Sequence, residues 1–163
     1  SIDYPETAMF RDRRLIQFLQ RPAEYTHAVF STALDPNVFV LRLVPGMRAD
    51  IIPMLEGRYR ALVLESFGVG GLPGGDDGAM FAAVRDWCGA GHLAVFTTQV
   101  PHEGSDLAVY EVGRAAKALP GVLEAHDMTP EATAVKLMWV LGQTTDRAEA
   151  EKLFLTPVQW DIL

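Results

Sequence analysis

A glycine-rich stretch at residues 62–78, LVLESFGVGGLPGGDDG, carries the clearest indication of a ligand site in this sequence. An apolar run typical of a buried strand comes first, and Gly68, Gly70 and Gly71 follow that run directly. Glycines let a backbone approach another group closely, and open α/β sheets place ligands at the carboxyl ends of their strands. We therefore expect these three glycines beside a small molecule, whereas the later glycines of the stretch need only permit a tight turn.

The same stretch does not complete a nucleotide-binding motif. Gly68-x-Gly70 matches the first half of the dinucleotide signature G-x-G-x-x-G, but Pro73 occupies the third glycine position. Asp76 and Asp77 stand where a phosphate would meet the start of the next helix, and two carboxylates there would repel it. A Walker phosphate loop is excluded because no Gly-Lys-Ser/Thr follows. The sequence therefore argues against a nucleotide ligand.

A second polar loop, TTQVPHEGSD at 97–106, follows another apolar run. Its hydrogen-bonding side chains are those of Thr97, Thr98, Gln99, His102, Glu103, Ser105 and Asp106. Taken alone, such a loop is explained equally well as solvated surface. Two polar loops that leave neighbouring strand ends would converge on one sheet edge, which favours a small-molecule pocket there.

The other reactive residue types do not form a recognised pattern. The four histidines and the single Cys88 lack the spacing of metal ligands, so we expect no metal site. A Ser-His-Asp triad could be assembled from Ser66, His102 and Asp127, but the G-x-S-x-G turn that exposes such a serine is absent. Cys88 lies beside Trp87 on the apolar face of a predicted helix and is expected in the core.

Strand and helix patterns alternate regularly from residue 38 onward. Apolar, β-branched runs predict four strands, at 38–44, 60–67, 92–99 and 121–125. Apolar periodicity and helix-end residues predict helices within 49–57, 76–91, 106–119, 130–141 and 146–155. Such alternation is typical of βαβ units, so we predict a three-layer α/β/α domain with a four-stranded parallel sheet.

The ends of two helices carry more specific predictions. Asp76 or Asp77 is expected to cap the second helix, since short acidic side chains accept hydrogen bonds from the first turn. Thr129 before Pro130 predicts the N-cap of the fourth helix, and Gly142 is expected just past its end.

The first 37 residues do not follow this alternation. The segment RRLIQFLQ (13–20) alternates poorly, HAVFSTAL (27–34) is a plausible strand, and Pro22 stands between them. We predict a β-hairpin or connecting arm over residues 1–37, followed by the α/β domain over 38–163.

Composition limits the classes of partner. The chain has 163 residues, the length of one domain, and a formal net charge of −7. An acidic chain without basic clusters argues against nucleic acid or an anionic membrane surface. No apolar run approaches the roughly 20 residues of a membrane span, and no leader precedes Asp3. With one cysteine, we expect a soluble cytoplasmic protein.

Four stretches together resemble the C-terminal domain of the asparaginase family, in particular its cytoplasmic-type (type I) enzymes. They are VLRLVPGMRADII, YRALVLESFGVGGLP, VFTTQVPHEGSDLAVYEVG and DMTPEATAVKLMWVLGQ. The last is the most specific, being close to the family's Asp-Met-Thr-x-Glu-Ala-x-x-x-Lys-Leu run. The opening SIDYPE also resembles the segment that ends the family's N-terminal domain, so the resemblance covers nearly the whole chain.

The resemblance implies a domain that assists a reaction performed elsewhere. In the family the nucleophilic Thr lies in a Thr-Gly-Gly-Thr motif of a larger N-terminal domain, with a second Thr-Asp pair and a Lys. None of these motifs occurs here, so we expect no catalytic residue and no activity in this chain alone. The family reaction hydrolyses the side-chain amide of L-asparagine through an acyl-enzyme, giving aspartate and ammonia without a cofactor. Self-association of the full-length protein into a dimer or tetramer is also implied.

The resemblance assigns the two polar loops to the rim of a neighbouring subunit's active site. The implied substrate-proximal or effector residues are Ser66, Gly68, Gly70, Gly71, Thr98, Gln99 and Tyr110. Many relatives carry Asn at the position of Gly71. Because glycine has no side chain, this chain lacks one hydrogen bond to the substrate or an effector that the resemblance would imply. Some bacterial members bind asparagine as an effector through an Arg at the position of Glu65 and a Cys at that of Val100. Glu65 reverses that charge, so we expect no allosteric site of that kind.

Two alternatives stay open from the sequence. One is the asparaginase-like subunit of a tRNA-dependent amidotransferase, which would need a partner subunit and an additional N-terminal domain. The other is a non-catalytic domain that binds a small molecule or another protein.

Overall fold

The computed structural model describes residues 6–18, 27, 29–73, 78–158 and 161–162. The strands are β1 Ala8–Arg11, β2 Arg14–Gln17, β3 Val38–Arg42, β4 Ala61–Ser66, β5 Leu93–Thr98 and β6 Val122–Glu124. The helices are α1 Ile51–Leu55, α2 Ala79–Gly89, α3 Glu111–Lys117, α4 Pro130–Gln143 and α5 Arg147–Leu155. No helix in the described part of the chain is long and apolar enough to cross a membrane.

The four later strands form one parallel sheet in the order β3-β4-β5-β6. In its register Val38 pairs with Ala61, Ala61 with Leu93, and Ala94 with Val122. Every residue of β5 is buried, and only Glu65 of β4 is not. The central strands are near-continuously apolar because helices cover both of their faces. The predicted four-stranded parallel sheet is confirmed.

Alternate residues of the central strands point into two separate cores, since side chains along a strand alternate between faces. Leu62, Leu64 and Phe96 pack with α1, α2 and α3 on one side of the sheet. Val63 and Val95 pack with α4 and α5 on the other side. The architecture is therefore the predicted three-layer α/β/α.

The ends of two helices differ from the sequence prediction. The N-cap position of α2 is Gly78, whose φ of 63° is left-handed and which offers no side-chain cap. Asp76 and Asp77, the predicted caps, lie outside the described residues. The Thr129 cap is confirmed, since its Oγ1 accepts a hydrogen bond from the Ala132 N–H at 3.2 Å. Gly142 lies inside α4, where a Cβ would overlap the carbonyl oxygen of Ala33.

The N-terminal hairpin forms nearer the start of the chain than predicted. Strands β1 and β2 pair antiparallel through a two-residue turn, Asp12 and Arg13, with φ of 50° and 62°. Turns with two left-handed residues match the twist of a hairpin. The predicted strand over 27–34 is wrong: residues 29–34 form no strand. Residues 1–5 of SIDYPE, residue 28 and all of residues 19–26 lie outside the described residues.

Residues 33–35, just before β3, are hydrogen-bonded to residues near the end of α4 and pair with no strand. The Gln143 side chain donates to the Ala33 carbonyl at 2.9 Å, and the Asp35 N–H donates to the Met138 carbonyl at 2.9 Å. Arg60 donates to the Asp35 carboxylate at 2.7 Å and to the Leu141 carbonyl at 3.0 Å. One of these bonds, from Arg60 to Leu141, satisfies a carbonyl in the last turn of α4, and together they hold residues 33–35 against the end of that helix.

Candidate functional site

The candidate site lies at the carboxyl ends of β4 and β5, where two loops leave the sheet side by side. We call residues 67–71 the glycine turn and residues 99–110 the β5–α3 loop. Their positions follow from the parallel register, in which Ser66 pairs with Thr98. This edge of an open α/β sheet is where such folds place ligands.

The glycine turn is closed by its own backbone. The Phe67 N–H donates to the Gly71 carbonyl at 3.1 Å, and the Gly71 N–H donates back to Phe67 at 2.8 Å. Gly68 has a φ of 49°, in the left-handed region that favours glycine. A Cβ on Gly70 would lie 3.1 Å from the Asp106 carbonyl oxygen. The close approach that Gly70 permits is therefore an approach of the β5–α3 loop.

Ser66 and Thr98, two of the predicted site residues, bond to backbone beneath the site. Ser66 is buried, and its hydroxyl donates to the Thr97 carbonyl at 2.8 Å. The Thr98 hydroxyl donates to the Gly68 carbonyl and accepts from the Val100 N–H at 3.0 Å. Both side chains hold the strand ends and the glycine turn in place.

Gln99 joins three strand ends. Its backbone N–H donates to the Ser66 carbonyl at 3.2 Å. Its side-chain amide donates to the carbonyls of Leu43 at 2.7 Å and Glu65 at 2.8 Å. Both amide hydrogens are therefore used within the domain, and the residue stabilises the edge of the sheet from which the loops leave.

Tyr110 is the predicted site residue with the most accessible side chain. It is 47% exposed, and its hydroxyl would lie 3.3 Å from a Cβ placed on Gly68. The structure thus brings Tyr110 and the glycine turn together at the surface. A phenolic hydroxyl there can both donate and accept a hydrogen bond.

The buried hydroxyls at this edge are not arranged as nucleophiles. Ser66 donates to a backbone carbonyl, and Ser105 donates to the Phe96 carbonyl at 3.2 Å. Thr97 is fully buried, and its hydroxyl points to the Met128 carbonyl at 3.5 Å. A hydroxyl becomes a good nucleophile when an adjacent base takes its proton, and a carbonyl oxygen cannot do so. The triad Ser66, His102 and Asp127 is therefore unsupported.

Glu65 is a charged group at this edge that has an ion-pair partner on the next strand. Glu65, whose side chain is 15% exposed, faces Arg42 at 3.8 Å. The lack of an effector site of the kind described above therefore stays a prediction. Within the described ranges no three His, Cys, Asp or Glu side chains come together as metal ligands do.

Glu124 is a buried group that the sequence reasoning missed. Its carboxylate lies 2.6 Å from the Lys117 ammonium and accepts a hydrogen bond from the Leu107 N–H at 2.9 Å. The hydrogen bond and charge of Glu124 raise the pKa of Lys117, outweighing the opposite effect of burial. The one available signal was an acidic residue inside the short apolar strand GVLEA.

Replacing Gly70 by alanine tests the close contact between the two loops. We expect Gly70→Ala to lower the free energy of unfolding by about 1–3 kcal/mol, since the new methyl group would press on the Asp106 and Leu107 backbone. Gly89→Ala is the comparison at a position where a Cβ has no neighbour within 4 Å, and because Gly89 ends α2 its stability should equal the parent's or exceed it by up to about 1 kcal/mol. Urea unfolding of both variants gives the comparison, and equal stabilities would contradict the assigned contact.

Comparison with known proteins identifies the family. The family model described as glutaminase/asparaginase C-terminal domain matches residues 37–154. The L-asparaginase of Thermococcus kodakarensis is 38% identical over 154 residues, covering 94% of this chain and 46% of that protein. A glutamyl-tRNA(Gln) amidotransferase subunit of Metallosphaera sedula is 31% identical over 159 residues, covering 94% of this chain and 35% of that protein.

Solved structures agree with these relatives. The thermostable L-asparaginase from Thermococcus kodakarensis superposes with a TM-score of 0.82 at 35% identity, covering 100% of this chain and 49% of that chain. L-asparaginase I from Vibrio cholerae superposes with a TM-score of 0.67 at 24% identity, over 79% of this chain and 38% of that chain, which shows the fold alone.

The chain spans less than half the length of the relatives it matches in sequence, at 46% and 35%. The family model covers most of the α/β domain, including both loops of the candidate site. The resemblance of four sequence stretches to this family is thus confirmed. The chain belongs to the glutaminase/asparaginase C-terminal domain family.

Proposed function

We propose that this chain is the C-terminal domain of an L-asparaginase, an amidohydrolase that converts L-asparagine to L-aspartate and ammonia. The observation that carries the proposal is the 38% identity to an L-asparaginase across 94% of the chain. The TM-score of 0.82 with a thermostable L-asparaginase supports it. In this proposal the whole enzyme acts in the cytoplasm, and the domain works without a cofactor.

The chain divides into a connector over 1–37 and the α/β domain over 38–163 in this proposal. The family match begins at residue 37, which supports a boundary there. The hairpin strands pair with each other, whereas β3 is the first strand of the parallel sheet. The connector would lead back to an N-terminal domain that carries the catalytic threonines.

The two loops would supply contacts close to the substrate. The proposed set is Ser66, Gly68, Gly70, Gly71, Thr98, Gln99 and Tyr110. Tyr110 would offer its exposed hydroxyl directly, while Ser66, Thr98 and Gln99 hold the backbone beneath through the hydrogen bonds described above. The hydroxyls of Ser66 and Thr98 donate to backbone carbonyls and are not activated as nucleophiles, so in this proposal the catalytic threonines of the N-terminal domain attack the amide.

Self-association of the full-length protein belongs to the same proposal. The hairpin exposes apolar side chains on both of its faces, with Met9 and Ile16 paired on one face and Phe10 and Leu15 paired on the other. Phe10 is 74% exposed and Leu15 is 67% exposed. Such a surface favours contact with the remainder of the protein or with another protomer in a dimer or tetramer.

The amidotransferase subunit is a second candidate. It is favoured by the 31% identity to a subunit of a glutamyl-tRNA(Gln) amidotransferase. An enzyme of that kind would release ammonia only in the presence of a partner subunit. The two candidates therefore differ in whether the purified gene product acts alone.

Ammonia release from L-asparagine tests the function. We expect the full-length product of the gene to release ammonia and the 163-residue chain to release none, since the hydroxyls at the candidate site donate to backbone carbonyls and not to a base. Activity in the chain alone would overturn the assignment of the chemistry to another domain. Activity of the full-length product only after addition of a partner subunit would favour the amidotransferase.

A further inference from the structure

The glycine turn and the β5–α3 loop are held together by a small number of close contacts. The Asp106 N–H donates to the Val69 carbonyl at 2.6 Å. Leu107 is fully buried, and its Cδ2 would lie 3.0 Å from a Cβ placed on Gly70. Movement of Asp106 and Leu107 would therefore move the glycine turn.

Glu124 holds that part of the loop from the sheet side. It is the last residue of β6, is 5% exposed, and one carboxylate oxygen accepts a hydrogen bond from the Leu107 N–H at 2.9 Å. The other carboxylate oxygen lies 2.6 Å from the ammonium of Lys117 on α3. A buried carboxylate is costly unless it is partnered, and here both oxygens have partners.

Tyr110 lies three residues after Leu107, the loop residue that Glu124 holds. Its carbonyl accepts a hydrogen bond from the Arg114 N–H at 2.9 Å, in the first turn of α3. Gly113 on the same helix touches Leu107, since a Cβ there would overlap the Leu107 carbonyl oxygen. The position of Tyr110 relative to Gly68 therefore depends on where Leu107 is held.

We infer that Glu124 is a positioning residue: through the Leu107 N–H, and held by Lys117, it sets the placement of Tyr110 and the glycine turn at the substrate edge. The inference rests on the proposed asparaginase function. Glu124 touches no substrate in this scheme, and its effect reaches the site through the β5–α3 loop. Displacing a substrate-positioning group by about 1 Å can change enzyme efficiency by up to about a hundredfold.

The test uses the full-length product of the gene and compares Glu124→Ala with Glu124→Gln. We expect Glu124→Ala to raise KM for L-asparagine about tenfold with kcat within about twofold, the pattern of lost substrate binding. Glu124→Gln keeps an oxygen that can accept from the Leu107 N–H, so its KM should return to within about threefold of the parent value. Parent-like KM in folded Glu124→Ala, or no rescue by glutamine, would overturn the inference.

Lys136→Met is the control for general destabilisation. Lys136 belongs to α4, on the opposite face of the sheet from α3. The Lys136→Met variant should have lower stability and an unchanged KM for L-asparagine. A rise in its KM equal to that of Glu124→Ala would show that the Glu124 effect comes from general loss of structure.

Amide hydrogen exchange of the 163-residue chain gives a readout independent of activity. The Asp106 and Leu107 amides should exchange faster in Glu124→Ala and at parental rates in Lys136→Met. Unchanged exchange at both amides would overturn the positioning role. A parent enzyme that releases no ammonia, with faster exchange in Glu124→Ala, would overturn the proposed function and leave the loop contact in place.

Discussion

Lys136→Met is expected to lower the free energy of unfolding by about 3 kcal/mol, because it removes the cation of a buried ion pair and leaves the carboxylate of Asp161 in place. The Lys136 side chain is 5% exposed, and its ammonium lies 2.8 Å from the Asp161 carboxylate. The ammonium also donates to the Thr156 carbonyl at 3.0 Å and lies 5.6 Å from the centre of the Phe154 ring. Removing it leaves the Thr156 carbonyl and Oδ2 of Asp161 without this donor, while Oδ1 of Asp161 keeps the Val158 N–H at 2.7 Å.

This lysine binds the end of the chain to the helical layer. Thr156 and Asp161 follow α5, and Lys136 reaches both from α4. Lys152→Met is the matched control, because Lys152 is an exposed lysine on α5. Urea unfolding should show a loss in Lys136→Met and a change within about 0.5 kcal/mol in Lys152→Met. Equal stabilities would contradict the contribution assigned to the Lys136 ion pair.

Asp161→Asn separates charge from packing at the same place. The amide keeps an oxygen for the Lys136 ammonium but removes the opposite charge from a cation that is nearly excluded from water. Neutralising one member of a buried pair is destabilising because the other charge stays unpaired. Combining the two changes should therefore cost less than the sum of the single variants, as expected for residues in direct contact.

The parallel sheet could be predicted because each strand has a local and redundant signal. The run LVLES needs helices on both faces to bury its apolar residues, and the spacing of such runs leaves room for one helix between them. The Thr129 cap could be predicted for a similar reason, since the cap and the N–H that it accepts from lie three residues apart.

The hairpin and the role of Gly142 depend on contacts that have no local signal. Strands β1 and β2 are four residues each and mostly exposed, so no apolar alternation marks them. Gly142 resembles a helix stop by its position, yet it serves a close approach by Ala33, more than a hundred residues earlier in the chain. Only the folded chain shows which distant segment requires the missing side chain.

At the candidate site, too, the features that depend on neighbouring residues could be predicted from the sequence, and the contacts between distant segments could not. Glycines after a strand predicted the turn, and polar residues after the next strand predicted the second loop. The partners of the hydrogen bonds could not be predicted, because Gln99 donates to Leu43 and Leu107 donates to Glu124 across separate elements. The polar side chains of Ser66, Thr98 and Gln99 consequently bond to backbone carbonyls within the domain, and Tyr110 is left exposed.

Arg60→Ala is expected to lower the free energy of unfolding by about 2 kcal/mol at neutral pH, since hydrogen bonds to charged groups contribute about 1.5–3 kcal/mol. Arg60 donates to the Asp35 carboxylate at 2.7 Å and to the carbonyls of Leu141 at 3.0 Å and Thr144 at 3.4 Å. Its charge also lies at the C-terminus of α4, where a cation is favoured by the helix dipole. Arg48→Ala is the control, because the Arg48 side chain is 84% exposed in its pair with Asp50.

The pH dependence of this loss follows from Asp35. Burial alone would raise the pKa of Asp35, but hydrogen bonds from Arg60 and the Asn37 N–H outweigh it and hold the pKa below the ordinary value of 3.8. A carboxyl group with a lowered pKa stabilises the fold above its unfolded-state pKa and loses that contribution as pH falls through the folded-state pKa. The stability difference between the parent and Arg60→Ala should therefore be constant near neutral pH and shrink once Asp35 becomes protonated. A difference that stays constant down to acid unfolding would show that Arg60 acts through the Leu141 and Thr144 carbonyls, with the Asp35 pair contributing nothing.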